Sequence, residues 1–267
     1  MPAYKSPVFV YNQVNMSRLL KQLLYGLFYL VIFVGVPVGI YFALLKPAPT
    51  CGDGVQNGKE QGIDCGGNCP QACIPSTLRP LQALDGAKII PVDATHASVL
   101  VEVTNPNVGY AAPQFGYAIT LTDDAGATST LSGTSYIYGG EVRNLAFPNL
   151  DVNGGTIKDV SVSFTVPQWV PTDAWKRPAL RVQHALTERK DAQLVVSGEF
   201  VSDDTITFPS VEVVVVFKGR FGETVGVSRT ALDNVSPANA RVFTVLHPNI
   251  ADVDLSATNV TLAASRP

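Results

Sequence analysis

Val160-Ser161-Val162-Ser163-Phe164-Thr165-Val166 places an apolar side chain at every second position. That is the period of a β-strand with one packed face and one wet face. The same texture extends in both directions. Upstream the reading gives strands over Ala87–Val92, Ser98–Thr104, Phe115–Thr122, Ala127–Tyr138 and Glu141–Phe147, with Val160–Val166 closing the series. Asp123-Asp124-Ala125-Gly126 supplies a hairpin turn. Downstream a second series runs over Leu180–Leu186, Gln193–Val201, Ser210–Phe217, Thr224–Thr230, Arg241–Leu246 and Val253–Leu262.

The two series align. Ser98–Asn105 matches Gln193–Phe200 in character, Phe115–Gly126 matches Val211–Gly222, and Phe147–Leu150 matches Leu246–Ile250. The offset of roughly 95 to 100 residues is the size of one β-sandwich domain. Val211–Phe217 is apolar except for Glu212, which predicts a strand central in its sheet, since an exposed edge of that composition invites aggregation. The fold expected is all-β: two tandem immunoglobulin-like β-sandwiches over residues 78–170 and 180–267, joined by a linker over 171–179. They lack the Cys pair and Trp spacing of antibody domains, so packing alone must hold them.

Ahead of the β-domains, Leu23–Leu45 has no charged side chain between Lys21 and Lys46. At about 1.5 Å per helical residue it spans a hydrocarbon core of roughly 30 Å. The run is longer than a signal-peptide core, and Tyr41-Phe42-Ala43-Leu44-Leu45-Lys46 offers no small-x-small cleavage site, so it reads as an uncleaved anchor. Tyr25, Tyr29 and Tyr41 fall near the membrane interfaces, Leu23 and Leu45 bound the span, and Pro37, with Gly35 and Gly39, marks an expected kink. Gly35-x-x-x-Gly39 is also a candidate helix-packing face. Residues 1–22 carry Lys5, Arg18 and Lys21 without an acid, whereas the stretch after the run adds Asp53, Glu60 and Asp64. The positive-inside bias therefore makes residues 1–22 a cytoplasmic stub and sends the C-terminal bulk outside, a single-pass arrangement in the cell (inner or cytoplasmic) membrane with the lipid bilayer as first partner.

Residues 46–77 form the expected neck. Pro47-Ala48-Pro49-Thr50 is a stiff spacer by composition. Then all four cysteines follow, Cys51, Cys65, Cys69 and Cys73, which on the outer side of a membrane read as two disulfides. Three pairings are open, with Cys51–Cys65 and Cys69–Cys73 preferred. Zinc fits poorly, because the spacing lacks paired C-x2-C knuckles. Asp53, Asn57, Glu60 and Asp64 are candidate ligands for calcium, a possible cofactor that takes six to eight oxygens. The competing reading makes them turn and solubilising residues of a small knot with no core of its own.

The string Cys51-x-Asp53-Gly54-x-x-Asn57-Gly58-x-Glu60-x-Gly62-x-Asp64-Cys65-Gly66-Gly67-x-Cys69-x-x-x-Cys73 resembles a short cysteine-rich module of bacterial surface proteins. The resemblance implies the outside of a prokaryotic cell. In the second β-block, Leu194–Ser202, Phe208–Phe217, Gly222–Gly226 and Val235–Val245 are similar to the extracytoplasmic FxLYD domains and to late-embryogenesis-abundant-type domains. Val216-Phe217-Lys218 stands where that family has its Leu-Tyr-Asp. The resemblance implies binding or spacer roles and brings no catalytic residues.

Candidate chemistry is sparse. His96, His184 and His247 have no ligand spacing and read as turn or strand-surface residues. Asp123-Asp124 and Asp203-Asp204 fall in predicted loops, where Asp favours turns. Trp169 and Trp175, in the Pro-rich link, are expected to pack the domains together or to form a binding edge. A net charge of −3 gives no basic field, which argues against nucleic acid. The expected function is non-enzymatic: a scaffold or protein-interaction surface among other envelope proteins, with an adhesin or ligand-binding module on a calcium-stabilised neck as the alternative.

Overall fold

The structure, a computed structural model, describes residues 17–42, 51–152 and 156–267. Lys5, Leu45, Lys46 and the spacer Pro47–Thr50 lie outside the described residues. The chain divides into two compact units, Met1–Cys73 and Ile74–Pro267.

In the first unit, helix α1 (Arg18–Leu30) continues through a π-helical turn (Val31–Gly35) into α2 (Val36–Ile40). Ser17 caps it by accepting from the Leu20 N–H. Arg18–Ile40 is one apolar helix of 23 residues with mean hydropathy 2.3, long and apolar enough to cross a membrane. Pro37 has no N–H and its ring crowds the preceding turn. The ladder loosens just ahead of it, where the Val36 N–H reaches back to the Val31 carbonyl. The expected kink residue is therefore matched by a local change of helix type.

The second unit is all β. Its first half comprises β1 (Gln82–Pro91), β2 (His96–Thr104), β3 (Tyr110–Asp123), β4 (Thr128–Ile137), β5 (Val142–Asp151), β6 (Ile157–Phe164) and the short β7 (Val170–Pro171). Its second half comprises β8 (Leu180–Lys190), β9 (Gln193–Ser202), β10 (Phe208–Lys218), β11 (Thr224–Val235), β12 (Arg241–Pro248) and β13 (Asn259–Ala263). The first half builds sheets ordered β1-β2-β5 and β4-β3-β6, with β7 paired to the start of β3. The second builds β8-β9-β12 and β11-β10-β13. Strand for strand this is the same antiparallel topology, repeated. Even a bulge recurs: the first strand of each half slips register, at Leu84/Ala87 and at Gln183/Leu186. Asp85 and His184 adopt φ values of 54° and 51° there. Matching the pairs ahead of these bulges, Ala83 with Val103 and Val182 with Phe200, sets Val103 on Phe200, two residues along from the correspondence read in sequence. A shift of two keeps the same face of the strand inward.

Each sandwich has its own core. Val99, Val101, Val103, Phe115, Ile119 and Ile137 fill the first, and Leu194, Val196, Phe200, Val213, Val215 and Phe217 the second. A third cluster joins them. Ile90, Leu100 and Ala146, on the outer face of β1-β2-β5, are buried against Val214 and Val216 of β10 and Val227 of β11. The central strand β10 is thus covered on both faces: Val211, Val213, Val215 and Phe217 point into their own sandwich, Val214 and Val216 into the other. That explains the unbroken apolar run Val213–Phe217, which one-sided burial would not require. At the edge of this contact Glu212 bridges Arg143 at 3.5 Å and Arg229 at 3.3 Å. The two sandwiches are consequently fused face to face rather than strung on a linker.

Burying both faces ties the halves into one cooperative unit. Denaturant unfolding of residues 74–267 is expected to follow a single transition by fluorescence and circular dichroism. Leu100→Ala, at a site 1% exposed, should cost about 2–5 kcal/mol. Leu100→Asp should split the transition in two. Two well-separated transitions in the unmodified protein would overturn this account.

Candidate functional site

The neck is built from disulfides and hydrogen-bonded carboxylates. Cys51 pairs with Cys69 and Cys65 with Cys73, which corrects the preferred pairing of neighbours in sequence. The chain between them turns back tightly enough to interleave the bonds. Gly67 has φ 61°, and a Cβ there would lie 1.8 Å from the Lys59 carbonyl oxygen. A Cβ at Gly62 would lie 2.8 Å from the Cys65 sulfur. These glycines, not spacing, select the crossed pairing.

Of the four candidate calcium ligands, the carboxylates of Asp53, Glu60 and Asp64 accept from backbone N–H groups, whereas the Asn57 Oδ1 is buried without a hydrogen-bond partner among the described residues. The Asp64 carboxylate accepts from the N–H of Asp53 at 3.0 Å and of Gly54 at 2.9 Å. Asp53 accepts from the Val55 N–H at 3.0 Å and from the Asn57 amide at 2.8 Å. Glu60 accepts from the Asn57 N–H at 3.0 Å. Such a network replaces the core that so short a segment lacks. Among the described residues, the His, Cys, Asp and Glu atoms close enough to share one ion are those of Cys51, Glu60 and Cys69, and both sulfurs are already in the disulfide. The contacts of Asp53, Glu60 and Asp64 are those of the turn reading.

Of the expected anchor residues, Leu23, Tyr25 and Tyr29 lie on α1, Pro37 on α2 and Tyr41 just beyond it. Leu23, Tyr25, Tyr29 and Tyr41 expose half or more of their surface.

Trp175 and Trp169 part company. Trp175 is buried and stacks on Tyr138 with ring centroids 4.1 Å apart. The Tyr138 hydroxyl donates to the Ala264 carbonyl at 2.9 Å and accepts from the Arg266 N–H at 3.1 Å. Arg266 also donates to the Lys176 carbonyl at 2.7 Å and pairs with Asp204. The segment after β13 thus closes over the end of β4, and Trp175 seals that junction. Burial pushes the Tyr138 phenol well above its ordinary value and Tyr136 up to about 12. Nothing in the sequence pairs Tyr138 with Ala264, because the contact spans 126 residues.

Trp169 instead packs on the first core and forms one wall of a groove of about 520 Å3 between the start of β1 and the end of β6. Leu78, Arg79, Leu81, Phe164 and Val166 complete it. Val166 is 92% exposed, a large apolar side chain left in water.

The remaining polar candidates have structural partners. Asp123 accepts from the Ala127 N–H in the β3–β4 turn, and Asp203 pairs with Arg181. Asp93 accepts from the N–H groups of Thr95 and His96 in the β1–β2 turn, and these hydrogen bonds hold its carboxyl down at about 2. His184 lies 2.9 Å from Glu199 on the surface. His247 departs from the surface reading: it is buried, its ring tilted 4.9 Å from Phe217, with Nδ1 donating to the Pro248 carbonyl at 2.7 Å. Burial lowers its pKa below the ordinary 6.5.

No family model matches the chain, and no curated protein sequence matches it. Among solved structures, red sea bream transglutaminase is similar at 14% identity over 71% of this chain and 32% of that protein, with a TM-score of 0.18. The chain spans about a third of that protein's length, and the likeness is too low to carry an argument.

Two outcomes are expected. Mass spectrometry of the unreduced digest should give the Cys51–Cys69 and Cys65–Cys73 peptides, and Gly67→Ala should scramble them, whereas chelators should leave the pairing untouched. Because the folded pKa of His247 lies below its unfolded value, the unfolded state binds the extra proton. Its contribution is full above pH 6.5 and is lost as pH falls through the folded pKa. Melting temperature should therefore drop more steeply on acidification in the unmodified protein than in His247→Gln, and parallel slopes would contradict this.

Proposed function

We propose that this chain is a single-pass cell-envelope protein of a bacterium, anchored by Arg18–Ile40 with its N-terminus in the cytoplasm. Outside the membrane it presents the fused two-sandwich body as a scaffold or interaction surface for other envelope proteins. The observation that supports this most directly is the face-to-face burial of β10 and β11 against β1, β2 and β5, which makes the body one stiff block rather than two mobile beads. A stiff block holds its outward surfaces at fixed positions, as a scaffold must. An apolar anchor and crossed disulfides fit an extracytoplasmic setting. A non-enzymatic role fits the carboxylates, since those of Asp123, Asp203 and Asp204 serve turns and ion pairs.

The test is crosslinking in intact cells followed by gentle detergent extraction. Stoichiometric recovery of other envelope proteins is expected, together with protease access to residues 74–267 from outside only. A partnerless monomer, or a body protected from external protease, would sink the reading.

A further inference from the structure

The repeat supplies an internal comparison. Matched by strand register, Leu81 corresponds to Leu180, Phe164 to Leu262 and Val166 to Ala264. These residues line the same place in each sandwich, the mouth between its first and last long strands. In the second sandwich that mouth is closed by a turn from the first. Tyr138 enters it and donates its hydroxyl to the Ala264 carbonyl at 2.9 Å, and Glu141, three residues on, lies 3.7 Å from Arg177. A residual cavity of about 110 Å3 is left, and Ala264 is 2% exposed. In the first sandwich the same mouth is the open groove of about 520 Å3, and Val166 is 92% exposed. Arg79 lines the groove while donating to the Pro106 carbonyl at 3.2 Å, and it lies two residues before Leu81 as Arg177 lies three before Leu180.

We propose that this groove is a docking site for a turn of a partner protein that presents a tyrosine followed within three residues by an acid. The tyrosine ring would cover Val166 and lie against Trp169, its hydroxyl would donate to the Val166 carbonyl, and the acid would face Arg79. The closed mouth of the second sandwich shows that such a turn fits a site of this shape, and the arginine supplies matching charge. A second copy is disfavoured as occupant. Its own Tyr138 is already buried, and its most exposed aromatic among the described residues, Phe221, lacks the hydroxyl that would donate to the Val166 carbonyl. The inference rests on reading the body as an interaction surface and adds where and by what chemistry it binds.

The test uses the full-length chain in detergent and, as probe, the synthetic peptide Thr134–Arg143 of this same sequence, which carries the Tyr138 and Glu141 turn. Tryptophan fluorescence should report saturable binding. Val166→Asp in the protein, tolerated because the side chain is in water, or Tyr138→Ala in the peptide should each weaken it by at least about tenfold. Absence of saturation, or equal affinity for Val166→Asp, would overturn the proposal. In native membranes, a photo-crosslinker at position 166 should form an adduct on a partner tyrosine that has an acid within three residues. A crosslinker at position 221 serves as control. Adducts at 221 but not at 166 would overturn the groove and spare the scaffold reading. No adduct at either position would overturn both. An adduct at 166 on lipid, on another copy, on the same chain, or on a partner segment without that tyrosine would also overturn the groove.

Discussion

The burial of β10 on both faces is the constraint from which the two-sandwich body follows. A three-stranded sheet is narrow, and a sandwich of two such sheets encloses a small core. Here the outer face of one inner sheet meets the outer face of the other, so Leu100, Val214 and Val216 are withdrawn from water as completely as core residues. Each such side chain contributes about 1.5–3 kcal/mol relative to exposure. Side chains that would otherwise be surface liabilities become the joint. At the rim the exposed Arg229–Glu212 pair adds orientation to that joint more than energy, whereas Arg143 is itself buried, at 5% exposed, between Glu212 and the Tyr136 ring.

How much of this was legible in the sequence depended on whether the information was local. Strand positions were, because period-two alternation is written residue by residue, and Val160–Val166 carries it openly. The repeat was legible for the same reason, since two copies of one pattern can be compared without knowing the fold. The run Val211–Phe217, apolar except for Glu212, announced a central strand. Its second meaning, that another domain covers it, needs a partner surface, and Leu100 lies over a hundred residues earlier, in a strand whose alternation looks ordinary. The crossed disulfides were hidden because they depend on the positive φ of Gly67 and its approach to Lys59, which spacing does not encode. The buried setting of His247 was hidden because Phe217 covers its ring from another sheet.

The candidate site shows the same division. The neck acids were recognisable as a cluster, and sequence left open whether they face an ion or the backbone. Asp64 accepts from consecutive N–H groups, a geometry that exists only once the loop has closed. The two linker tryptophans looked equivalent on paper. They differ because Trp175 finds Tyr138 to stack on, whereas Trp169 is left at the wall of the groove.

The Tyr138 hydroxyl bond to Ala264 has a consequence for the order of folding. A chain is made from its N-terminus, so every strand of the first sandwich is in hand long before residues 264–266 emerge. Closure across 126 residues is slow to achieve compared with a hairpin. Until β10, β11 and β13 are placed, Tyr138 and Trp175, like Ile90 and Leu100, stand as uncovered apolar surface on the first sandwich, the kind of exposure that makes a partly folded chain prone to aggregate. The junction therefore serves as a completion mark: the first sandwich loses its sticky end only when the second has been assembled, and a chain stalled between the two carries a visible sign of its immaturity.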